Sequence, residues 1–228
     1  MLNTRVGYVA ILLGFLLLSA GVGQAHYLWL EGPAIAAEDE QVQVEVHWGH
    51  LGDEGGITDV NVYSRRPDGR REVLKAFDRE NYQAVTLQLS GPGDYWLYTV
   101  RPPSVYQRTL GHFSAKHLLR VGYTDDAAWE KPVGTLLEVV PLAHPHSLDD
   151  GDVLPVRILF EGSPLVGAVV THVNVEGIQD TVLTDDAGEV LLTVVDGAQL
   201  IAASHETPAV GEEDYDLEGY TAVLYLNL

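Results

Sequence analysis

Gln41-Val42-Gln43-Val44-Glu45-Val46-His47-Trp48 alternates polar and apolar side chains with a period of two. That alternation belongs to an extended strand with one buried face, because successive side chains of a strand point to opposite sides of its sheet. Val42, Val44 and Val46 fall on one face, and Gln43 and Glu45 on the other. Similar signals recur outward from this stretch. Leu28-Trp29-Leu30 precedes it. Val60 to Arg65 alternates and stops at the turn Arg66-Pro67-Asp68-Gly69, with Glu72 to Ala76 as the return strand. Ala84 to Leu89 is closed by Ser90-Gly91-Pro92-Gly93, and Tyr95 to Val100 follows. The corner Gly93-Asp94-Tyr95 is of the kind in which a tyrosine hydroxyl anchors a loop of an immunoglobulin-like sandwich.

Residues 101–134 break this rhythm. They are expected to form a long connection opening at Pro102-Pro103, with Ser114 to Arg120 as either a strand or one helical turn. Strand signals resume at Thr135 to Val140, Val153 to Phe160, Val166 to Val175, Thr181 to Thr184, Glu189 to Val194, Leu200 to Ser204 and Tyr220 to Leu228. Asp185-Asp186-Ala187-Gly188 reads as a hairpin turn. No helix longer than about two turns and no tandem repeat is expected. The fold class is all-β: two consecutive antiparallel immunoglobulin-like or transthyretin-like β-sandwiches, over residues 26–141 and 142–228.

Residues 1–25 read as a secretory signal peptide, with Arg5 in the charged region, Ile11 to Ala20 in the apolar region, and Gly23-Gln24-Ala25 as a small-x-small cleavage site. Retained, the longer apolar stretch from Val6 to Val22 would be a marginal membrane anchor. Cleavage leaves a soluble chain in the periplasm or outside the cell, with no direct membrane insertion. It also leaves a free α-amine on His26. That amine and the His26 Nδ1 close one chelate ring around a metal ion, and one further histidine completes a three-nitrogen histidine brace.

Removing residues 1–25 from 228 leaves 203. There is no cysteine, and the single methionine is Met1, so any soft-metal site is restricted to nitrogen and oxygen ligands. The net charge of −20 argues against nucleic acid and anionic membrane surfaces as partners. No Gly-x-Ser-x-Gly, phosphate loop or His-Glu-x-x-His is present, and Ser204-His205-Glu206 is contiguous rather than convergent, so the chain is not expected to be an enzyme.

The nine histidines are the candidate ligands. His47 and His50 have His-x-x-His spacing at the end of a strand. Regular strand geometry sends them to opposite faces, and His50, on the valine face, is the preferred partner of His26. His205, at the end of a strand, is the second preferred partner. His112 and His117 share the long connection. In His144-Pro145-His146 the proline disfavours a helical His144, and extended backbone sends both rings to one side. His172, among valines, is expected to pack. Neutral imidazole suits nickel, cobalt, copper and zinc alike.

The order of motifs along the chain resembles the exported NikM-like nickel/cobalt-uptake accessory family, formerly a domain of unknown function. The matching pieces are Ala25-His26-Tyr27-Leu28-Trp29-Leu30-Glu31, His47-Trp48-Gly49-His50, Gly93-Asp94-Tyr95, Leu136 to Pro141, Leu148 to Asp152, Ala203-Ser204-His205 and Tyr220 to Leu224. The run Gly162-Ser163-Pro164-Leu165-Val166-Gly167-Ala168-Val169-Val170, with Thr184 to Glu189 and Val195-Asp196-Gly197, resembles the regulatory-like module of carboxypeptidases. The resemblance implies a periplasmic β-sandwich protein that binds nickel or cobalt, its partner a membrane metal transporter. Two other classes stay open: a structural or protein-binding module of the cell envelope without metal, and a histidine-brace copper protein.

Overall fold

The alternation of residues 41–48 is realised as the strand Gln41–His50, with Val42, Val44 and Val46 buried and Gln41 and Gln43 exposed. The computed structural model describes residues 26–57, 59–124 and 127–228, without the side chains of 178 and 179. The expected signal peptide therefore lies outside the described residues. Among them the only helical elements are two 3-10 turns, Ala128–Glu130 and Pro145–Ser147. No described helix is long and apolar enough to cross a membrane.

The strands form three sheets. A five-stranded sheet runs Tyr27–Glu31, Gln41–His50, Gln83–Gln88 and Phe77–Asp78, with Asp53–Gly55 beside the end of Gln41–His50. A central nine-stranded sheet runs, in spatial order, Gly177–Leu183, Val169–Asn174, Ala198–Pro208, Leu217–Asn227, Thr109–Val121, Gly93–Tyr106, Asn61–Arg65 and Arg71–Leu74, with Ile35–Ala36 added to Thr109–Val121. A four-stranded sheet holds Leu137–Pro141, Val153–Phe160, Ser163–Pro164 and Glu189–Thr193. The chain is all-β, and its pairings are antiparallel except where Thr109–Val121 lies parallel to Leu217–Asn227 and to Ile35–Ala36.

Both faces of the central sheet are buried. Tyr95, Leu97, Leu119, Leu200, Ala202, Val223 and Tyr225 pack with Leu28, Leu30, Val44, Val46 and Leu87 of the five-stranded sheet. The intervening residues Trp96, Leu118, Ile201, Ala203, Ala222 and Leu224 pack with Leu137, Val139, Leu154, Val156 and Leu192 of the four-stranded sheet. Two sandwich cores thus share one sheet. Strands from before and after Pro141, the expected boundary, pair side by side in it through the nine-residue parallel register of Thr109–His117 with Leu217–Tyr225.

Residues 101–121 correct the expected long connection. They belong to a hairpin of two long strands, Gly93–Tyr106 and Thr109–Val121, and Ser114 to Arg120 is strand. The turn between them puts Gln107 and Arg108 at φ 47° and 64°, the positive values that a type I′ turn requires at both central residues. Asn-Gly usually supplies them, and its absence is why the sequence reads as loop. The strained turn is held from outside. Arg108 forks onto Asp216 with contacts of 2.6 and 2.7 Å, and the Asp216 N–H donates to the Arg108 carbonyl.

Other sequence signals have the physical role expected of them. The Tyr95 hydroxyl donates to the Ser90 carbonyl at 2.6 Å and accepts from the Ser90 N–H at 3.2 Å. Asp185 Oδ1 accepts from the N–H groups of Ala187 and Glu189, so the acidic pair builds a turn. Buried between the central and four-stranded sheets, Lys116 Nζ lies 2.6 Å from Glu138, which also accepts from the Val133 and Gly134 N–H groups.

Candidate functional site

The register of the first two strands decides where the site falls. Tyr27 opposes Gly49 and Leu28 opposes Trp48, so His26 continues the ladder opposite His50. Residues facing one another across a ladder share a face. His26 and His50 therefore stand at the end of the face that Leu28, Leu30, Val44 and Val46 bury. Their ring centroids are 5.1 Å apart at an interplanar angle of 62°. The Trp48 ring lies 5.7 Å from His26. His26 is exposed and His50 half-buried.

This spacing fits a shared metal ion. With metal–nitrogen bonds of about 2.0–2.1 Å, two imidazoles on one ion hold their ring centroids roughly 4.5–6.5 Å apart, from cis to trans. Neither ring makes a side-chain hydrogen bond to another described residue. A shallow cleft of about 150 Å³ opens beside His50, walled by Tyr27, Leu51 and the turn from Asn174 to Gly177. Among the described residues, no group of three His, Asp or Glu side chains converges on a point that would hold a metal. The side chains thus supply a pair of imidazoles.

The other candidate histidines are placed elsewhere. His47 lies on the opposite face from His50, stacked on Trp29 at 5.0 Å, with Glu45 Oε2 at 3.3 Å and Glu31 Oε2 at 3.9 Å. The His-x-x-His spacing is split by strand parity. His205, expected beside His26, opposes Tyr220 and packs on Phe160, on the side of the central sheet that faces the four-stranded sheet. His112 stacks on the same Tyr220 at 4.7 Å. The Tyr220 hydroxyl donates to Glu218, and burial together with that carboxylate pushes the phenol up to about 12.

His117 is in the other core, its Nε2 3.0 Å from the Pro33 carbonyl, so His112 and His117 do not close over a common point. Burial lowers the His117 pKa to about 4. His144 and His146 have rings 5.5 Å apart, but both nitrogens of His144 and the Nε2 of His146 are already taken by protein partners. His144 Nε2 lies 3.2 Å from both oxygens of the buried Asp94, its Nδ1 accepts from the His146 N–H, and His146 Nε2 meets the Leu118 carbonyl at 2.9 Å. His144 is extended, at φ −69° and ψ 116°, as expected of a residue before proline, and a 3-10 turn begins only at Pro145. His172 is buried against Gln199 Oε1 at 2.8 Å, a packing role as expected.

Two residues near the pair were not signalled by the sequence. Phe113 meets Trp48 edge-on at 4.9 Å, and the Arg101 guanidinium lies 4.6 Å from the Trp48 ring. Both sit in the segment read as a connection. The one hint was the Pro102-Pro103 pair beside a cation.

No curated protein matches the chain. Among solved structures it is similar to a DUF4785 family protein of Legionella pneumophila, with 11% identity over 76% of this chain and 50% of that one and a TM-score of 0.34. It is also similar to the alpha-2-macroglobulin of E. coli, with 12% identity over 90% of this chain and 14% of that one and a TM-score of 0.27. The chain thus spans half the length of the first and a small part of the second. The family model described as domain of unknown function DUF4198 matches residues 23–207, from just before His26 to just beyond His205, and the chain belongs to that family.

Proposed function

We propose that the chain, cleaved after Ala25, is an exported periplasmic protein that captures a divalent transition metal with three nitrogens. These are the α-amine and Nδ1 of His26 and one imidazole nitrogen of His50. The reading is supported above all by the 5.1 Å approach of these two rings at an accessible sheet end, with no hydrogen bond from another described residue competing for them. The matched family region begins at residue 23, three residues before His26, and so includes both histidines. A set of nitrogens without sulfur suits divalent nickel, cobalt, copper and zinc. The resemblance of the chain to nickel/cobalt-uptake accessory proteins favours the first two as cargo and a membrane metal transporter as recipient.

Calorimetry with each of these ions tests the reading on protein whose first residue is verified as His26. The expected result is one ion per chain, with affinity falling as pH drops below the ordinary amine range of about 7.7–8.0 and further below the imidazole value of about 6.5. A form with one extra residue before His26 keeps both rings but loses the amine, and binds at least about tenfold more weakly. Equal affinity of the two forms removes the amine from the site. Absence of binding in both leaves a structural or protein-binding envelope module as the better reading.

A further inference from the structure

A second cluster lies on the outer face of the five-stranded sheet, where strand parity sends His47. In the ladder of Tyr27–Glu31 with Gln41–His50, Trp29 opposes His47 and Glu31 opposes Glu45. These four side chains share the face turned away from Leu28, Leu30, Val44 and Val46. Two carboxylates directly opposite one another repel and weaken a ladder. Among the described residues, the one basic group that pairs with either of them is His47. Its Nε2 lies 3.3 Å from Glu45 Oε2 and 3.9 Å from Glu31 Oε2. The other Glu45 oxygen, Oε1, accepts from Gln43 Nε2 at 3.1 Å.

The imidazole is built into the sheet. His47 is 6% exposed, stacked on Trp29 at 5.0 Å, with the Tyr82 ring 5.5 Å away. Both of its ring nitrogens are buried without a hydrogen bond. A buried polar atom left unpaired is costly, and this one faces two acids. The three groups have nearly the spacing of ligands on one ion. With bonds of about 2.0–2.2 Å and angles of roughly 90–109°, nitrogen and oxygen ligands of one metal stand about 2.9–3.5 Å apart. The Glu45 contact already falls in that range. Glu31, whose side chain is 45% exposed, has about half an ångström to close. As the side chains stand, the three do not converge on one point, and a rotation of Glu31 is the movement the site requires.

We propose that His47 Nε2, Glu31 and Glu45 bind a second divalent ion, zinc foremost, through one nitrogen and two carboxylates, with a fourth position open to water. The ion neutralises the opposed carboxylates and gives the buried nitrogen a partner. Neither His26 nor His50 takes part, so this site stands apart from the three-nitrogen reading. It has no chelate ring and needs Glu31 to move, so in the mature chain it fills only at zinc concentrations above those that fill the three-nitrogen site. The test uses the mature chain carrying His26→Ala and His50→Ala, which removes both imidazoles of that other site. Zinc is titrated at neutral pH by calorimetry and by NMR of the His47 ring and the Trp29 indole. One ion per chain is expected, with saturable shifts at both rings. Glu45→Gln and Glu31→Gln, both at solvent-accessible positions, are each expected to weaken zinc at least about tenfold. Glu212→Gln, which removes the same charge from a distant loop, leaves it unchanged. Calcium, which prefers oxygen ligands alone, is expected to bind at least about tenfold more weakly than zinc. No zinc binding, zinc binding without shifts at His47, unchanged binding to folded Glu45→Gln protein, or calcium binding as tight as zinc each overturns the proposal, the last leaving an acidic patch only.

Discussion

His117 makes the stability of this protein depend on pH in a way that can be calculated. Its ring is buried, with Nε2 against the Pro33 carbonyl, and burial lowers its pKa from 6.5 to about 4. A base with a depressed folded value stays neutral in the native state while the unfolded chain takes up a proton. Its contribution is therefore complete above pH 6.5 and is lost as pH falls toward 4. The steepest loss is about 1.4 kcal/mol per pH unit, and integrated between the two values it reaches about 3 kcal/mol at pH 4. The perturbation is His117→Gln, which keeps a donor for the Pro33 carbonyl and removes the titration. The variant is less stable at pH 7.5 through altered packing, by about 1–2 kcal/mol. Urea unfolding of both proteins at half-unit steps from pH 7.5 to 4 reads the difference between them. The wild type is expected to lose its advantage on descent and to fall below the variant near pH 4. His146 is also lowered by burial, and its charge is one of the causes that lower His117, so the difference between the profiles reports His117 together with its coupling to His146. Parallel profiles for the two proteins would refute the assignment of this acid sensitivity to His117.

Three further substitutions probe the fold and the site. Lys116→Met leaves the Glu138 carboxylate buried without its cation, and urea unfolding is expected to register a loss of about 3–5 kcal/mol. Tyr95→Phe frees the Ser90 carbonyl and N–H from the hydroxyl, and is expected to cost about 1–2 kcal/mol by the same measurement. Gly49 has φ 142°, and a Cβ there would lie 2.7 Å from the Asp53 carbonyl oxygen. Gly49→Ala should therefore shift the backbone between Trp48 and His50 and lower metal affinity at least about tenfold by calorimetry, at a stability cost of about 1–3 kcal/mol.

Much of the fold is legible because sheet burial has a simple period. The alternation at 41–48 gives both the strand and its buried face, and the same parity separates His50 from His47. Tyr95 to Tyr98, Leu200 to Ala203 and Ala222 to Leu226 do not alternate; they are apolar at successive positions. Continuous runs of this kind mark strands covered on both faces, and here they are the shared central sheet. Their meaning is not local, since the second cover comes from strands far away in the chain. The long hairpin is hidden for a different reason: its turn takes the positive φ values from Gln107 and Arg108, residues that do not ordinarily prefer them. His205 is misplaced by sequence reasoning because nothing in its neighbourhood tells which face of which sheet it joins.

The site is built by register rather than by a motif. Shifting the pairing of Tyr27–Glu31 against Gln41–His50 by one residue would move His26 out of line with His50 and turn Leu28 and Leu30 out of the core. The burial of those leucines thus holds His26 in place from two and four residues away. What the sheet cannot supply is the third nitrogen. In the uncleaved chain the nitrogen of His26 is an amide joined to Ala25, planar and without a basic lone pair. In the cleaved chain the same atom is an amine. On the proposed reading the protein then acquires its metal affinity only on processing, so metal is not taken in the compartment of synthesis. Uncleaved and cleaved chains share both rings and the whole sheet, and differ at the site by one bond. The ratio of their affinities measures the share of that nitrogen directly.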